Sequence, residues 1–190
     1  QSWVKVNPDT ADYVYDIFGL EYYNNTLYVG GNKIYTTTDM GQTWQITSVP
    51  ITYSNCNDLK ALGGDLFGAF SDGQIMRSSD GGQNWTLLTE LWTPGAGRNN
   101  RLEYINGALF ALGDGDPQYS VDHGTTWFEL GKQGLPIVNS WGDLPTLSNL
   151  AGLGNLLFVS VPRNGVWISG DLGQTWEAYN DGLGNLRSRH

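Results

Sequence analysis

Carboxylates are the groups in this sequence whose type and spacing could do chemistry. Asp72 could pair with Asp114 or Asp116 as the two acidic groups of a glycoside hydrolase, but no pattern in the sequence fixes their separation. Asp114 and Asp116, in GDGDPQ at 113–118, could also offer oxygen ligands to calcium, although the full Asp-x-Asp-x-Asp-Gly loop is missing. The sequence therefore predicts no catalytic residue and no cofactor, with calcium as the metal left to test.

Four further carboxylates recur at nearly constant spacing. Each lies in an octet of the pattern Ser/Thr-x-Asp-x-Gly-x-Thr/Asn-Trp. The octets are TTDMGQTW (37–44), SSDGGQNW (78–85), SVDHGTTW (120–127) and SGDLGQTW (169–176). Their aspartates stand at 39, 80, 122 and 171, so the steps are 41, 42 and 49 residues. Periods near 40 residues are typical of propellers or solenoids.

The octet has the chemistry of a tight turn. Its aspartate can accept hydrogen bonds from backbone N–H groups, its glycine can take a positive φ, and its tryptophan can cover the turn. We expect the carboxylates to be buried and structural. The residues assigned this role are Asp39 and Trp44, Asp80 and Trp85, Asp122 and Trp127, and Asp171 and Trp176, with Gly41, Gly82, Gly124 and Gly173 between them.

Segments upstream of the octets align without a gap and predict the strands. They are LEYYNNTLYVG (20–30), LKALGGDLFGA (59–69), LEYINGALFAL (102–112) and LAGLGNLLFVS (150–160). Each carries a hairpin-turn dipeptide between two apolar runs. A third strand runs into the octet and a fourth follows its tryptophan. Four antiparallel strands in about 40 residues predict a blade of an all-β propeller.

The octet resembles the Asp-box, also called the bacterial neuraminidase repeat. This motif recurs in sialidases, xyloglucanases, sortilin-type receptors and many secreted bacterial propellers. The resemblance implies that each octet joins the two outer strands of a blade, on the face away from the ligand site. It is informative about fold and says little about activity.

The repeat also predicts the domain organisation. We expect one domain, 1–190, with units at about 7–47, 48–88, 89–130 and 131–179. The segment SWVKV (2–6) resembles a surplus fourth strand. A closed ring of four blades is favoured, and a fragment of a larger propeller is the alternative. Because the chain begins with Gln, we interpret it as processed or trimmed.

Composition restricts the partners. The formal net charge is −9, so an acidic surface disfavours nucleic acid and anionic membranes. One cysteine and two histidines exclude an internal disulfide and disfavour a zinc site. No apolar run approaches 18 residues, so membrane insertion is not expected. The resemblance and this composition together predict a secreted or cell-surface protein.

Aromatic residues outside the repeated strands predict a binding face. Loops that link one blade to the next, or the two middle strands of a blade, would form it. Tryptophan and tyrosine there could stack on a sugar while charged neighbours bond its hydroxyls. The candidate ligand-binding residues are Tyr13, Tyr15, Tyr53, Trp92, Arg98, Arg101, Trp141, Asp143 and Arg163.

Enzymatic activity is disfavoured. The resemblance implies that a sialidase would need three arginines around the substrate carboxylate. Arg77 adjoins an octet and Arg187 and Arg189 lie in the tail, which leaves Arg98, Arg101 and Arg163, two of them on one loop. The arginine-isoleucine-proline sequence typical of sialidases is also absent. A xyloglucanase cleft needs a second propeller. We therefore predict a non-catalytic binding propeller whose partner is a glycan or an extracellular protein. The alternatives are a fragment or diverged member of a sialidase-like or xyloglucanase-like glycoside hydrolase, and a protein-interaction or structural module.

Overall fold

The computed structural model describes residues 17–47, 55–90, 100–113, 117–136, 147, 149–161 and 163–183. Within these ranges every regular element is a β-strand. The strands form four antiparallel sheets of four strands each, and in every sheet the spatial order follows the chain order. None of the described segments supplies a helix of the length and apolarity needed to cross a bilayer. The prediction of four blades of four antiparallel strands is confirmed.

Each blade contains four consecutive strands. The first blade contains β1 (Ile17–Tyr23), β2 (Thr26–Gly31), β3 (Ile34–Thr37) and β4 (Gln45–Thr47). The second contains β5 (Cys56–Leu62), β6 (Asp65–Phe70), β7 (Gln74–Ser78) and β8 (Thr86–Glu90). The third contains β9 (Arg101–Ile105), β10 (Ala108–Leu112), β11 (Gln118–Ser120) and β12 (Phe128–Glu129). The fourth contains β13 (Leu150–Leu153), β14 (Leu156–Val161), β15 (Gly165–Ser169) and β16 (Glu177–Ala178).

Two-residue turns join the first and second strands of each blade. Asn24 and Asn25 have φ of 48° and 60°, and Gly63 and Gly64 have φ of 63° and 101°. Two successive positive φ values match the right-handed twist of the flanking strands, which is why Asn and Gly occupy these positions. The dipeptides therefore form the hairpin turns that their sequence predicts.

The chain divides into two compact units, Gln1–Glu90 with Arg98–Leu102, and Leu91–Gly97 with Glu103–His190. In the first unit, β1 and β2 pack against β5 of the second blade. The buried side chains between them include Tyr28, Ile34, Leu59, Leu66 and Phe70. In the second unit, a corresponding cluster includes Phe110, Leu112, Leu150, Leu157 and Val159. A single domain, a closed ring and the surplus strand at 2–6 stay predictions, and residues 2–6 lie outside the described ranges.

The two sides of a blade differ in what they meet. We call the side that packs against the following blade outgoing, and the side that packs against the preceding blade incoming. Tyr28 and Tyr23 on the outgoing side of the first blade join one cluster with Leu59 on the incoming side of the second. Ile105 and Phe110 of the third blade pack in the same way with Leu150 of the fourth.

The segment that leaves the third blade lies alongside the last octet. The backbone N–H of Trp176 donates to the carbonyl of Gln133 at 2.8 Å, and its indole Nε1 donates to the carbonyl of Gly131 at 2.9 Å. A Cβ built on Gly131 would collide with the carbonyl oxygen of Gln174. Glycine at 131 is thus required by close backbone approach.

We expect Gly131→Ala to destabilise the protein by about 2 kcal/mol or more, because the added methyl group meets rigid backbone instead of a mobile side chain. Gly170→Ala is the matched control, since the nearest atom to its new Cβ would be a leucine methyl at 3.9 Å. It should stay within about 0.5 kcal/mol of the parent. Urea titrations of both variants measure the difference, and equal midpoints would contradict the assignment.

Candidate functional site

Each blade has two chemically different ends. The octet end carries the turn between the first and second strands and the octet between the third and fourth. The loop end carries the turn between the second and third strands and the start of the first strand. Antiparallel order places these connections at opposite ends of every sheet, so the octets are separated from the loop end by the length of the strands.

A buried hydroxyl opens every octet. In the second octet, the hydroxyl of Ser78 accepts the N–H of Gly82 at 2.8 Å and donates to Oδ1 of Asp80, also at 2.8 Å. The backbone N–H of Asp80 also donates to the hydroxyl oxygen of Ser78, at 3.4 Å. The corresponding hydroxyls are those of Thr37, Ser120 and Ser169, all buried. Sequence reasoning assigned them no role, although a hydroxyl at this position in all four octets is the signal that would have identified them.

The octet carboxylate binds the C-terminal part of the loop. Oδ1 of Asp80 accepts the N–H of Asn84 at 2.9 Å, and Oδ2 accepts its side-chain amide at 2.7 Å. The other three octets repeat this pair with threonine, at 2.8 to 2.9 Å from the backbone N–H and 2.6 Å from the hydroxyl. These partners are Thr43 with Asp39, Thr126 with Asp122, and Thr175 with Asp171.

The tryptophan completes the turn. The indole Nε1 of Trp85 donates to the carbonyl of Gly82 at 3.0 Å, and the indole ring packs edge-on against Phe70 at 5.8 Å. The octet glycine takes a positive φ in each copy, 90° at Gly82, as expected. The preceding position is also left-handed, even where it is not glycine: Met40, His123 and Leu172 have φ of 57° to 60°.

The expectation that the octet carboxylates would be buried was wrong. Asp80, Asp122 and Asp171 are exposed and Asp39 is half-buried, whereas the hydroxyl beneath each is covered. The physical reason is that the loop curls around the hydroxyl, and the carboxylate reaches it from the solvent side.

Hydrogen bonding lowers the pKa of these carboxylates. The hydroxyl of Thr43 is the main cause at Asp39, the backbone N–H of Asn84 at Asp80, and the hydroxyl of Thr126 at Asp122. Each pKa falls from 3.8 to about 2. At Asp171 burial opposes the shift, but the hydrogen bonds from Thr175 and Ser169 outweigh it and the pKa is again lowered. Such groups stay ionised as hydrogen-bond acceptors and are poorly suited to proton transfer near neutral pH.

The loop end of the second blade is held by a small network. The N–H of Asn55 donates to the hydroxyl of Ser71 at 3.0 Å, and the N–H of Ser71 donates to the carbonyl of Asn55 at 2.9 Å. The buried amide of Asn100 donates to the carbonyl of Phe70 at 2.5 Å. These bonds fix the turn on which Asp72 is exposed.

Two of the predicted ligand-binding residues lie in the described part of the chain. Arg101 is exposed at the start of β9, and Arg163 is exposed in the turn between β14 and β15 with φ of 66°. Arg101 belongs to the first unit and Arg163 to the second. The remaining candidates, Tyr13, Tyr15, Tyr53, Trp92, Arg98, Trp141 and Asp143, lie outside the described residues, as do Asp114 and Asp116.

Metal ligands do not cluster where the chain is described. No group of three His, Cys, Asp or Glu side chains is arranged there to hold an ion. Cys56 is buried, and burial is the main cause that raises its thiol pKa, which removes it as a nucleophile.

An open apolar concavity of about 230 Å³ lies on the fourth blade and was not predicted. Its lining includes Ala151, Phe158, Ser160 and Val166. The signal in the sequence was the absence of charged residues from β13 and β14, since the first strands of the other blades carry charged residues.

No protein-family model and no curated protein matches the chain. Solved structures do match. A GH74 enzyme from Niastella koreensis is 17% identical with a TM-score of 0.58, over 85% of this chain and 24% of the enzyme. YCF48 bound to D1 peptide is 17% identical with a TM-score of 0.59, over 87% of this chain and 54% of that chain. The computationally designed Ika4 protein is 12% identical with a TM-score of 0.60, over 89% of this chain and 98% of that protein.

These likenesses concern the fold. The chain spans about a quarter of the GH74 enzyme and about half of the YCF48 chain, at identities too low to transfer activity. Together with the four sheets, they show that this chain has the β-propeller fold.

We expect Ser78→Ala to destabilise the protein by about 1–3 kcal/mol, because it leaves the buried N–H of Gly82 without an acceptor. Ser79→Ala removes a hydroxyl from the exposed neighbouring position and should change stability by less than about 0.5 kcal/mol. Thermal melts compare the two. If both variants melt together, the buried hydroxyl does not organise the octet.

Acid should destabilise the fold through the octets. Because the folded pKa of Asp39, Asp80 and Asp122 is about 2 against 3.8 ordinarily, the unfolded chain binds more protons between these values. The contribution of these carboxylates to the free energy of unfolding is complete above the pKa of the unfolded state, and it is lost as the pH falls through the pKa of the folded state. The melting temperature should drop from about pH 5 to about pH 2. Asp80→Asn should flatten part of that slope, and an unchanged slope would contradict the role of this carboxylate.

Proposed function

We propose that this chain is a non-catalytic Asp-box propeller module that binds its ligand through the loop ends of its blades, with carbohydrate as the favoured ligand. The observation that carries the proposal is the closed hydrogen bonding of the four octets. Their carboxylates are engaged by their own loops, so the most regular acidic groups of the chain serve structure. The surface left to vary between blades is the loop end.

Carbohydrate is favoured by the residue types assigned to that end. Tryptophan and tyrosine offer flat apolar faces that match the faces of sugar rings, and arginine and aspartate offer hydrogen bonds to hydroxyls. Exposed Arg163 and Asp72 lie in loop-end turns of their blades. The likeness to a GH74 enzyme supports a glycan ligand and also the alternative that the chain is a piece of a glycoside hydrolase.

An extracellular protein or peptide is the second candidate. The fold likeness to YCF48, in a structure with a bound D1 peptide, favours it. Exposed polar turns at a loop end suit a peptide backbone as well as a sugar. The resemblance of the octets to the Asp-box of many secreted propellers supports a secreted or cell-surface location, and the net charge of −9 argues against nucleic acid as a partner.

We expect labelled protein to bind oligosaccharides on a glycan array that includes β-glucans, xyloglucan fragments and sialosides. Titration with the strongest glycan should then show about tenfold weaker binding for Arg163→Ala, or about 1.4 kcal/mol. Trp92→Ala and Trp141→Ala should each cost about 2 kcal/mol of affinity. Arg77→Ala is the matched control, because Arg77 lies in β7 beside its octet and 3.9 Å from Asp65.

Three results would contradict parts of this proposal. No binding across the array, with capture of peptides from a peptide library, would assign the loop end to a protein partner. Equal losses in Arg163→Ala and Arg77→Ala would move the site away from the loop end. Hydrolysis of a β-glucan or sialoside at about 1 per second or faster, abolished by Asp72→Asn, would establish an enzyme.

A further inference from the structure

One carbonyl oxygen ties the loop end of the second blade to the start of the third. The carbonyl of Phe70 accepts the backbone N–H of Gly73 at 3.0 Å, which closes the turn between β6 and β7. The same carbonyl accepts the side-chain amide of Asn100 at 2.5 Å, from the residue that leads into β9. All three residues belong to the first compact unit, so the junction is formed within one unit. The turn and the start of β9 are therefore held next to each other.

A second hydrogen bond fixes the start of β9. Oδ2 of Asp58 in β5 accepts the backbone N–H of Leu102 at 3.0 Å. Arg101 therefore lies between two residues, Asn100 and Leu102, that are each hydrogen-bonded to the second blade. Asn100 is 3% exposed and Leu102 is 0% exposed, whereas Arg101 is exposed. The backbone that carries this guanidinium is thus positioned before a ligand binds.

The turn between β6 and β7 carries the exposed carboxylate of Asp72. Its Oδ1 accepts the backbone N–H of Gln74 at 3.2 Å, which orients the group, and its Oδ2 has no hydrogen-bond partner among the described residues. Glu90 ends β8 at the same end of the blade and is also exposed, with Nε2 of Gln74 donating to its Oε1 at 3.4 Å. This loop end thus presents two carboxylates close to the segment that carries Arg101.

We propose that Asp72 and Arg101 form a subsite for a neutral sugar, and that Asn100 positions Arg101 within it. The subsite rests on the carbohydrate ligand of the proposed function and narrows that ligand to neutral sugars. A carboxylate accepts hydrogen bonds from sugar hydroxyls and a guanidinium donates hydrogen bonds to hydroxyl oxygens, so the two groups together can hold neighbouring hydroxyls of one ring. Asp72 and Glu90 repel the carboxylate of a sialic or uronic acid, which disfavours acidic sugars.

The repeat uses the position of Arg101 differently in the preceding blade. Arg101 stands directly before Leu102, and the repeat alignment places Asp58 at the same position before Leu59. Both carboxylate oxygens of Asp58 accept backbone N–H groups, from Leu59 at 2.9 Å and from Leu102 at 3.0 Å. That side chain is half-buried and holds neighbouring backbone, whereas Arg101 is exposed. In β9 the position is therefore accessible to a ligand.

Titration with neutral fragments of xyloglucan and β-glucan, and with acidic sialyllactose and galacturonic acid oligomers, tests the ligand class. The parent should bind its strongest neutral glycan about tenfold more tightly than any acidic one. Asp72→Asn should weaken the neutral glycan about tenfold and strengthen the acidic ones, because the negative charge is removed while the shape is kept. Arg101→Ala should weaken the neutral glycan about tenfold. Asp65→Asn and Arg77→Ala are the matched controls, since this pair lies at the octet end of the same blade, 3.9 Å apart, and should leave binding unchanged.

A double-mutant cycle tests the positioning role of Asn100. Asn100→Ala should weaken the neutral glycan about tenfold when Arg101 is present and should have no further effect on affinity in the Arg101→Ala background. Its effect on the melting temperature should be the same in both backgrounds, because the hydrogen bond to Phe70 is lost in each. A residue with only a structural role would lower affinity equally in both. If Asn100→Ala melts below the temperature of the titration, Asn100→Ser replaces it, with the same expected result.

The outcomes separate the subsite from the proposed function. Tighter binding of acidic glycans would overturn the subsite, as would equal losses in Asp72→Asn and Asp65→Asn, or additive losses in the Asn100 and Arg101 variants. Neutral-glycan binding that depends on Arg163 but on neither Asp72 nor Arg101 would overturn the subsite and leave the proposed function standing. No binding to any glycan would overturn both.

Discussion

The buried hydroxyl at the head of each octet is the contact on which the blade depends. It accepts the N–H of the octet glycine and donates to the aspartate, so the turn closes around a single oxygen. The left-handed residues of the octet cannot pair their N–H groups with a neighbouring strand. A buried N–H left without an acceptor would lower the free energy of unfolding by about 1–3 kcal/mol. With the hydroxyl in place, the third and fourth strands leave the turn in antiparallel register, and the tryptophan lies back over the second strand.

Stacking of the blades follows from that register. Once the strands are fixed, alternate residues of the second strand face the next blade, and Tyr28 and Phe110 are buried there. Glycine in the first strand of the fourth blade makes room for a side chain of the third. The side chain of Ile105 would collide with a Cβ at position 152, where the fourth blade has glycine. Within each unit, apolar burial holds the two blades together, with few hydrogen bonds between the blades in the described residues.

Sequence reasoning predicted the features that depend on local geometry. Asn24-Asn25 and Gly63-Gly64 demand a left-handed turn whatever surrounds them, so the hairpins and strand order were predictable. The exposure of Asp80 was mispredicted, because burial depends on how the loop curls and not on which residue types it contains. The pairing of Gln133 with Trp176 was not predicted either, since it joins segments 43 residues apart in an irregular connection. The ligand residues are carried by connections that no repeat constrains, and this is why their roles remain proposals.

The octets are self-sufficient, and this bears on how such chains change over evolutionary time. In the first three octets, the hydrogen bonds that shape the turn begin and end within the eight residues, and the last octet adds bonds from Trp176 to Gly131 and Gln133. Duplication or loss of a whole unit therefore leaves every remaining octet intact. A unit added by unequal recombination would arrive with its turn already specified and would need only an apolar neighbour on each side. The number of blades is then a quantity that selection can adjust separately from the architecture of the blade.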